Sequence, residues 1–183
     1  MAKSGQAVLI VDMINDFRHE DGDELFERLL PVAEKIAHLA KRARDAGIPV
    51  IYVNDNFKHW HDTFETTIEQ VENSSNEGRR IVEMLRPEKS DYYVLKPHRS
   101  GFYKTPLGIL LEELGAEELI ITGATTDMCV LSTAHDAHMR KYKLRVPRDC
   151  TTAIKDEYHE QALDWMERAL ETDTRASDDI NFE

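Results

Sequence analysis

Short, continuous apolar runs alternate with longer stretches in which apolar residues recur every three or four positions, and this alternation predicts strands and helices in turn. Residues 6–11 (QAVLIV) are apolar throughout, apart from the leading glutamine. Such a run fits a strand buried on both faces, as in a parallel sheet. Residues 27–46 carry a stripe of Leu29, Leu30, Ala33, Ile36, Ala37, Ala40 and Ala43 that predicts a crossover helix stopped at Gly47. Residues 48–53 (IPVIYV) read as a second strand, followed by a polar and aromatic loop at 54–62. Residues 66–86 are mostly polar, and Ile81, Met84 and Leu85 indicate a helical stretch before Pro87 without fixing its boundaries. A third strand at 91–95 (DYYVL) runs directly into Lys96. A helix at 105–114 follows, with Thr105 as N-cap and Pro106 at its first position, then a fourth strand at 118–122. Beyond Cys129 the positions Val130, Ala134, Ala137 and His138 predict another helix. A short strand at 143–146 and a helix at 158–170, with Ala162, Trp165, Met166 and Ala169 on one side, complete the pattern. The polar residues 171–183 are expected to form a mobile tail.

Strands alternating with helices predict a three-layer α/β/α sandwich around a mostly parallel, Rossmann-like sheet. A length of 183 residues with 41% hydrophobic content suits one domain spanning 1–183. In such a fold, residues that follow their strands gather along one edge of the sheet, where ligands bind. Asp12, Asn54, Lys96 and the turn leading to Cys129 all qualify.

That turn lies in Gly123 to Ala137 (GATTDMCVLSTAHDA), where an apolar run ends in glycine and leads through Thr125, Thr126 and Asp127 to Cys129. Thr126 or Asp127 can cap the helix that follows, placing Cys129 in its first turn. A thiol there feels the positive end of the helix, which favours thiolate, and the free N–H groups can cradle an oxyanion. A free cysteine is as often a small buried hydrophobe. Asp12 as a turn cap and Lys96 as a solvated strand end are likewise the ordinary readings of each residue alone. Together the three have a chemical logic: the carboxylate takes the thiol proton and the ammonium stabilises the thiolate, which attacks carbonyl carbon.

Charge narrows the partners. Thirty-five acidic against 23 basic residues give −12, which argues against sequence-independent nucleic-acid binding and against an anionic membrane surface. A small-molecule substrate is the expected partner. No segment approaches transmembrane length, and the apolar stretch 7–11 is too short for a signal peptide, so with two cysteines the chain is expected to be cytoplasmic.

VDMINDF (11–17), LKPHRSGF (95–102) and GATTDMCVLSTAHDA (123–137) resemble the three signature segments of the isochorismatase-like cysteine hydrolases. The resemblance implies the parallel-sheet α/β fold and, as in the amidase members, a triad of Asp12 as general base, Lys96, and Cys129 as nucleophile that hydrolyses small amides through a covalent thioester. It also implies a non-proline cis peptide between Ala124 and Thr125, with the N–H groups of Thr125 and Cys129 forming the oxyanion hole. Nicotinamidase members carry Asp-x-His and a further His for a divalent metal. Here Asp55 is followed at +2 by Phe57, with His59 and His61 beyond; these three could still assemble a metal site, imidazole and carboxylate being ordinary zinc ligands, but the spacing departs from that pattern, and no metal and no other cofactor is expected. The segment VNDNFKHWHD resembles metal-free members, in which Asn54, Phe57 and Trp60 would wall the substrate pocket beside Phe17.

Cys150 matches no motif and reads as packing. Arg99 and His135 lie in the motifs without an assignable role. Family members that hydrolyse the vinyl ether of isochorismate lack the cysteine, so Cys129 favours hydrolysis of a C–N bond in an amide or ureido compound over a vinyl-ether hydrolase or a non-catalytic binding protein. Analogy with the fold family implies a homo-oligomer.

Overall fold

The structure, a computed structural model, describes residues 5–74 and 76–182. Among the described residues, six strands form one sheet in which every pairing is parallel: β1 (Gly5–Val11), β2 (Val50–Asp55), β3 (Tyr92–Lys96), β4 (Ala116–Ala124), β5 (Lys143–Arg145) and β6 (Thr151–Thr152). Their order is β3-β2-β1-β4-β5, with the short β6 pairing the end of β4. The helices α1 (Gly22–Asp45), α2 (Phe64–Ser74), α3 (Asn76–Met84), α4 (Leu107–Leu114), α5 (Leu131–Met139) and α6 (Asp156–Leu170) complete the three-layer α/β/α architecture expected from the pattern. Among the described residues no helix is long and apolar enough to cross a membrane.

The continuous apolar run of β1 has a direct cause. Val8 and Ile10 face a core shared with Leu29, Ala33 and Ile36 of α1, while Ala7, Leu9 and Val11 face a second core shared with Leu111 of α4 and Ala134 of α5. A strand sandwiched in this way has no polar face to show. Full burial of each Val, Leu or Ile contributes about 1.5–3 kcal/mol.

The chain folds outward from β1 in one direction through β2 and β3, then returns to its other side with β4. The direction therefore reverses between β1 and β4, where an open parallel sheet leaves a crevice at its C-terminal edge. Gly123 lets the two strand ends approach: it has φ +105° and lies opposite Val11, and a Cβ added there would stand 2.0 Å from the Val11 carbonyl oxygen. Gly123→Ala is thus expected to destabilise the fold by about 3 kcal/mol or more, since backbone rather than a flexible side chain would have to move. Urea unfolding of the two proteins checks this.

Several local expectations are corrected. Helix α1 starts five residues before 27, because Leu25 and Phe26 extend its buried stripe and Asp23 and Glu24 favour its N-terminus. The polar stretch 66–86 holds two helices; α2 hides only a narrow face, Phe64, Thr67, Ile68 and Val71, which is why its apolar content is so low. His138 is exposed on α5 and Ala169 on α6, where Leu163 and Leu170 are buried instead. Residues 171–182 are not a free tail. Asp173 exchanges backbone hydrogen bonds with Leu144 and Val146, Arg42 donates to the carbonyls of Ser177 and Ile180, and Ile180 is buried. Polar residues make these contacts through backbone and side-chain hydrogen bonds, which hydropathy does not register. Glu183 lies outside the described residues.

Candidate active site

Asp12, Lys96 and Cys129 meet at the crevice between β1 and β4. Asp12 is the first residue after β1; with φ 50° it leaves the strand direction, and its N–H donates to the Val53 carbonyl at 3.0 Å. One carboxylate oxygen accepts the Asp55 N–H at 2.7 Å, and the other lies 2.8 Å from Lys96 Nζ. Lys96 ends β3, and its side chain is 0% exposed. Its ammonium also donates to the His98 carbonyl at 3.0 Å, stands 3.5 Å from Cys129 Sγ and 3.7 Å from Asp55 Oδ2. Two strands separate β3 from β4, a gap that the length of a lysine side chain and the turn after β4 close together.

The charge state of this group departs from the sequence expectation. The helix end and Lys96 were reasons to expect a depressed cysteine pKa. Instead the Cys129 thiol is pushed up to about 12, first by burial and then by the Asp12 carboxylate, which together outweigh Lys96. Burial raises the Asp12 carboxyl above its ordinary value, with Lys96 opposing. Burial likewise pulls Lys96 down, but the charges of Asp12, Cys129 and Asp55 exceed that effect and raise it. The resting site therefore holds a neutral thiol beside a lysine paired at 2.8 Å with Asp12, the carboxylate placed to accept the thiol proton.

Cys129 sits in a π-helical turn, Thr126–Val130, that precedes α5. The Ala124–Thr125 peptide bond is cis. Neither Thr126 nor Asp127 caps the helix: the backbone N–H groups of Met128 and Val130 both donate to the Thr125 carbonyl, at 3.1 and 3.2 Å, and the Thr126 hydroxyl is buried against Thr151 and His159.

A cavity of about 540 Å³ opens onto these groups. Asp12, Thr125 and Cys129 line it together with the apolar side chains of Leu25, Phe57, Ala124 and Met128 and the polar Asn15, Asp55 and Lys58. Of the residues expected to wall it, only Phe57 does so. Phe17 is 4% exposed and packs edge-to-face on Phe26, with ring centroids 5.5 Å apart. It borders a wider polar cleft of about 800 Å³ with Asp16, Arg18 and Arg79 that does not reach the thiol. Asn54 is buried, its amide pinning the loop after β1 by accepting from Ile14 N–H and donating to Ile14 C=O, both at 3.0 Å. Trp60 is 73% exposed and lines no part of the cavity.

Asp55, His59 and His61 are not gathered as metal ligands. Asp55 accepts the Phe57 N–H at 2.6 Å and faces Lys96, whereas His59 pairs with Asp62 at 3.1 Å. Among the described residues no three His, Cys, Asp or Glu side chains come together as a metal site requires. His135 stacks on Trp165 away from the cavity, Arg99 is exposed, and Cys150 is buried in the core, where burial raises its thiol to about 12. Sequence reasoning missed Asn15, Leu25, Lys58 and Met128. Leu25 precedes the expected helix start, and the other three carry no pattern that marks them.

Residues 6–177 match the model of the Isochorismatase domain. The chain is 38% identical over 170 residues to the isochorismatase family protein YaaI of Bacillus subtilis strain 168, covering 93% of each. It is 32% identical over 154 residues to the ureidoacrylate amidohydrolase RutB of Methylobacterium radiotolerans, covering 73% of this chain but only 60% of that protein. In structure it is similar to N-carbamoylsarcosine amidase from Thermoplasma acidophilum, with a TM-score of 0.73, 27% identity, and coverage of 96% of this chain and 98% of that one.

Proposed function

The chain belongs to the isochorismatase family of hydrolases, and from that premise we propose that it cleaves a C–N bond of a small amide or ureido compound through a thioester on Cys129. The observation that carries this reading is the convergence of one carboxylate, one buried ammonium and one thiol, with Lys96 Nζ 2.8 Å from Asp12 and 3.5 Å from Cys129 at the floor of a cavity. The amides and ureido compounds named for the amidase relatives accord with it.

Because the resting thiol is neutral, proton transfer accompanies attack. Asp12 takes the thiol proton as sulfur bonds to the carbonyl carbon, and Lys96 stays charged beside both groups. The carbonyl electron pair moves onto oxygen, toward the N–H groups of Thr125 and Cys129. Asp12 then gives its proton to the nitrogen as the C–N bond breaks, leaving an acyl group on sulfur. Water, deprotonated by Asp12, attacks the thioester and releases the acid; the proton held on Asp12 restores the thiol.

Ammonia release from a panel of carboxamides and N-carbamoyl compounds tests the reading. Turnover of none of them would contradict it. No step above uses metal-bound water, and Asp55 is already committed to a backbone N–H and to Lys96. Activity is therefore expected to stay within about twofold of its starting value after exhaustive chelation. Loss with chelator, restored by zinc or manganese, would contradict that.

A further inference from the structure

We propose that His159 is a positioning residue for the catalytic turn: through its Nδ1–H it closes a chain of hydrogen bonds that runs by way of Thr126 and Thr151 to the Gly123 carbonyl. The chain can be read by counting protons. Thr151 Oγ1 donates to the Gly123 carbonyl at 2.7 Å, which uses its only proton. The 2.9 Å contact between the Thr126 and Thr151 hydroxyls must then be made with the Thr126 proton. The remaining contact, 2.8 Å from Thr126 Oγ1 to His159 Nδ1, therefore requires a hydrogen on the ring nitrogen. The reverse assignment would bury two oxygens against each other with no hydrogen between them. Burial lowers the pKa of His159, Arg148 adding to the effect while Glu160, Asp156 and Asp127 oppose it, so the ring is neutral above pH 7. Its one N–H is then on Nδ1, against the Nε2–H form that unconstrained histidine favours.

The location gives the chain its consequence. Gly123 and Thr126 flank the Ala124–Thr125 peptide, and Thr126 opens the turn that carries Cys129. Thr126 and Thr151 are buried, and no side chain caps this turn. Besides the burial of Val130 in the core and the contact of Lys96 with Cys129, the turn is tied sideways, from β4 through β6 to the first turn of α6. Removing the histidine donor would leave the Thr126 hydroxyl held by Thr151 alone and let the Thr125 and Cys129 N–H groups drift from the oxyanion. A shift of that kind costs rate rather than ground-state affinity.

Two measurements test this, and the kinetic one rests on the amidase reading above. In ¹⁵N-labelled wild-type protein near pH 7.5, with the His159 ring assigned by its disappearance in H159N, the expected result is a protonated Nδ1 and a bare Nε2; the opposite tautomer would overturn the proposal. In kinetics on the best amide of the panel, His159→Leu is expected to lower kcat by about 10–100-fold with KM held within about twofold. His159→Asn, whose amide N–H can stand where Nδ1–H stood, should recover most of the loss, and His159→Gln, whose amide reaches toward the Nε2 position, should not. Unchanged kcat in His159→Leu, or equal loss in all three variants, would overturn the proposal. A wild-type protein that turns over no amide would count against the amidase reading alone, and the ring tautomer would still decide the hydrogen-bond chain.

Discussion

Cys129→Ala is expected to abolish amide hydrolysis, with a fall in kcat on the order of 10⁴–10⁶-fold, while the domain stays folded. Losses of that size follow when a covalent nucleophile is removed and only binding and oxyanion stabilisation remain. No other thiol can replace it: Cys150 is fully buried in the core beneath α1 and does not line the cavity. Alanine removes only the sulfur, from a side chain that is partly exposed and anchored by no backbone role, so unfolding by heat or urea should change little. Asp12 and Lys96 would keep their 2.8 Å pairing. Retained turnover in the variant would exclude covalent catalysis and return Cys129 to a packing residue.

Asp12→Asn is expected to lower kcat by about 10²–10⁴-fold, the range typical of a general acid–base group. Asparagine preserves the size of the side chain and can still accept the Asp55 N–H, but it takes no proton from the thiol and returns none to the leaving nitrogen. Burial, the first cause of the raised thiol, remains in the variant even though the repelling Asp12 charge is gone, and the thiol has no partner to take its proton. The substitution also removes the nearest counter-charge of a fully buried lysine. The His98 carbonyl at 3.0 Å and Asp55 at 3.7 Å remain, so a cost of about 1–3 kcal/mol is expected, within the 5–15 kcal/mol that holds a typical domain together. The pH profile separates the two effects. In the wild type, rate should fall as pH drops through the Asp12 pKa, which burial places above that of an ordinary aspartate, because the protonated carboxyl cannot act as base. Lys96 is raised above an ordinary lysine and stays charged through the mildly alkaline range. The variant's residual rate should lack the acid limb. A variant that kept that limb would place it on another group.

The convergence of Asp12, Lys96 and Cys129 was legible in the sequence for a physical reason. Asp12, Lys96 and the turn to Cys129 each follow or end an apolar run, and parallel strands of one sheet deliver their C-terminal ends to one edge. What the sequence withheld was set by contacts between distant segments. Thr126 resembles a helix cap because it lies at the right spacing, yet its hydroxyl is claimed by Thr151 and His159, 25 and 33 residues away. The thiol pKa was misjudged because the helix end and Lys96 are visible in the motifs, whereas burial and the approach of Asp12 are not. The pocket walls were the least legible part. Phe17 and Trp60 follow strands as Phe57 does, but whether such a side chain turns into the core, outward, or into the cavity depends on loop dihedrals; Asn54 is still within β2, and its amide clasps the backbone of Ile14 instead. Phe17 and Phe57 both have positive φ and still end in different places.

Covalent catalysis by Cys129 is tested most directly by acid-quenching wild-type enzyme during turnover of its best amide and measuring the mass of the peptide that contains Cys129. The expected result is an increment equal to the acyl part of the substrate, on that peptide and not on the one containing Cys150, lost again when substrate is exhausted. Steady turnover with the Cys129 peptide unmodified at every quench time, and with Cys129→Ala as fast as wild type, would contradict a thioester pathway.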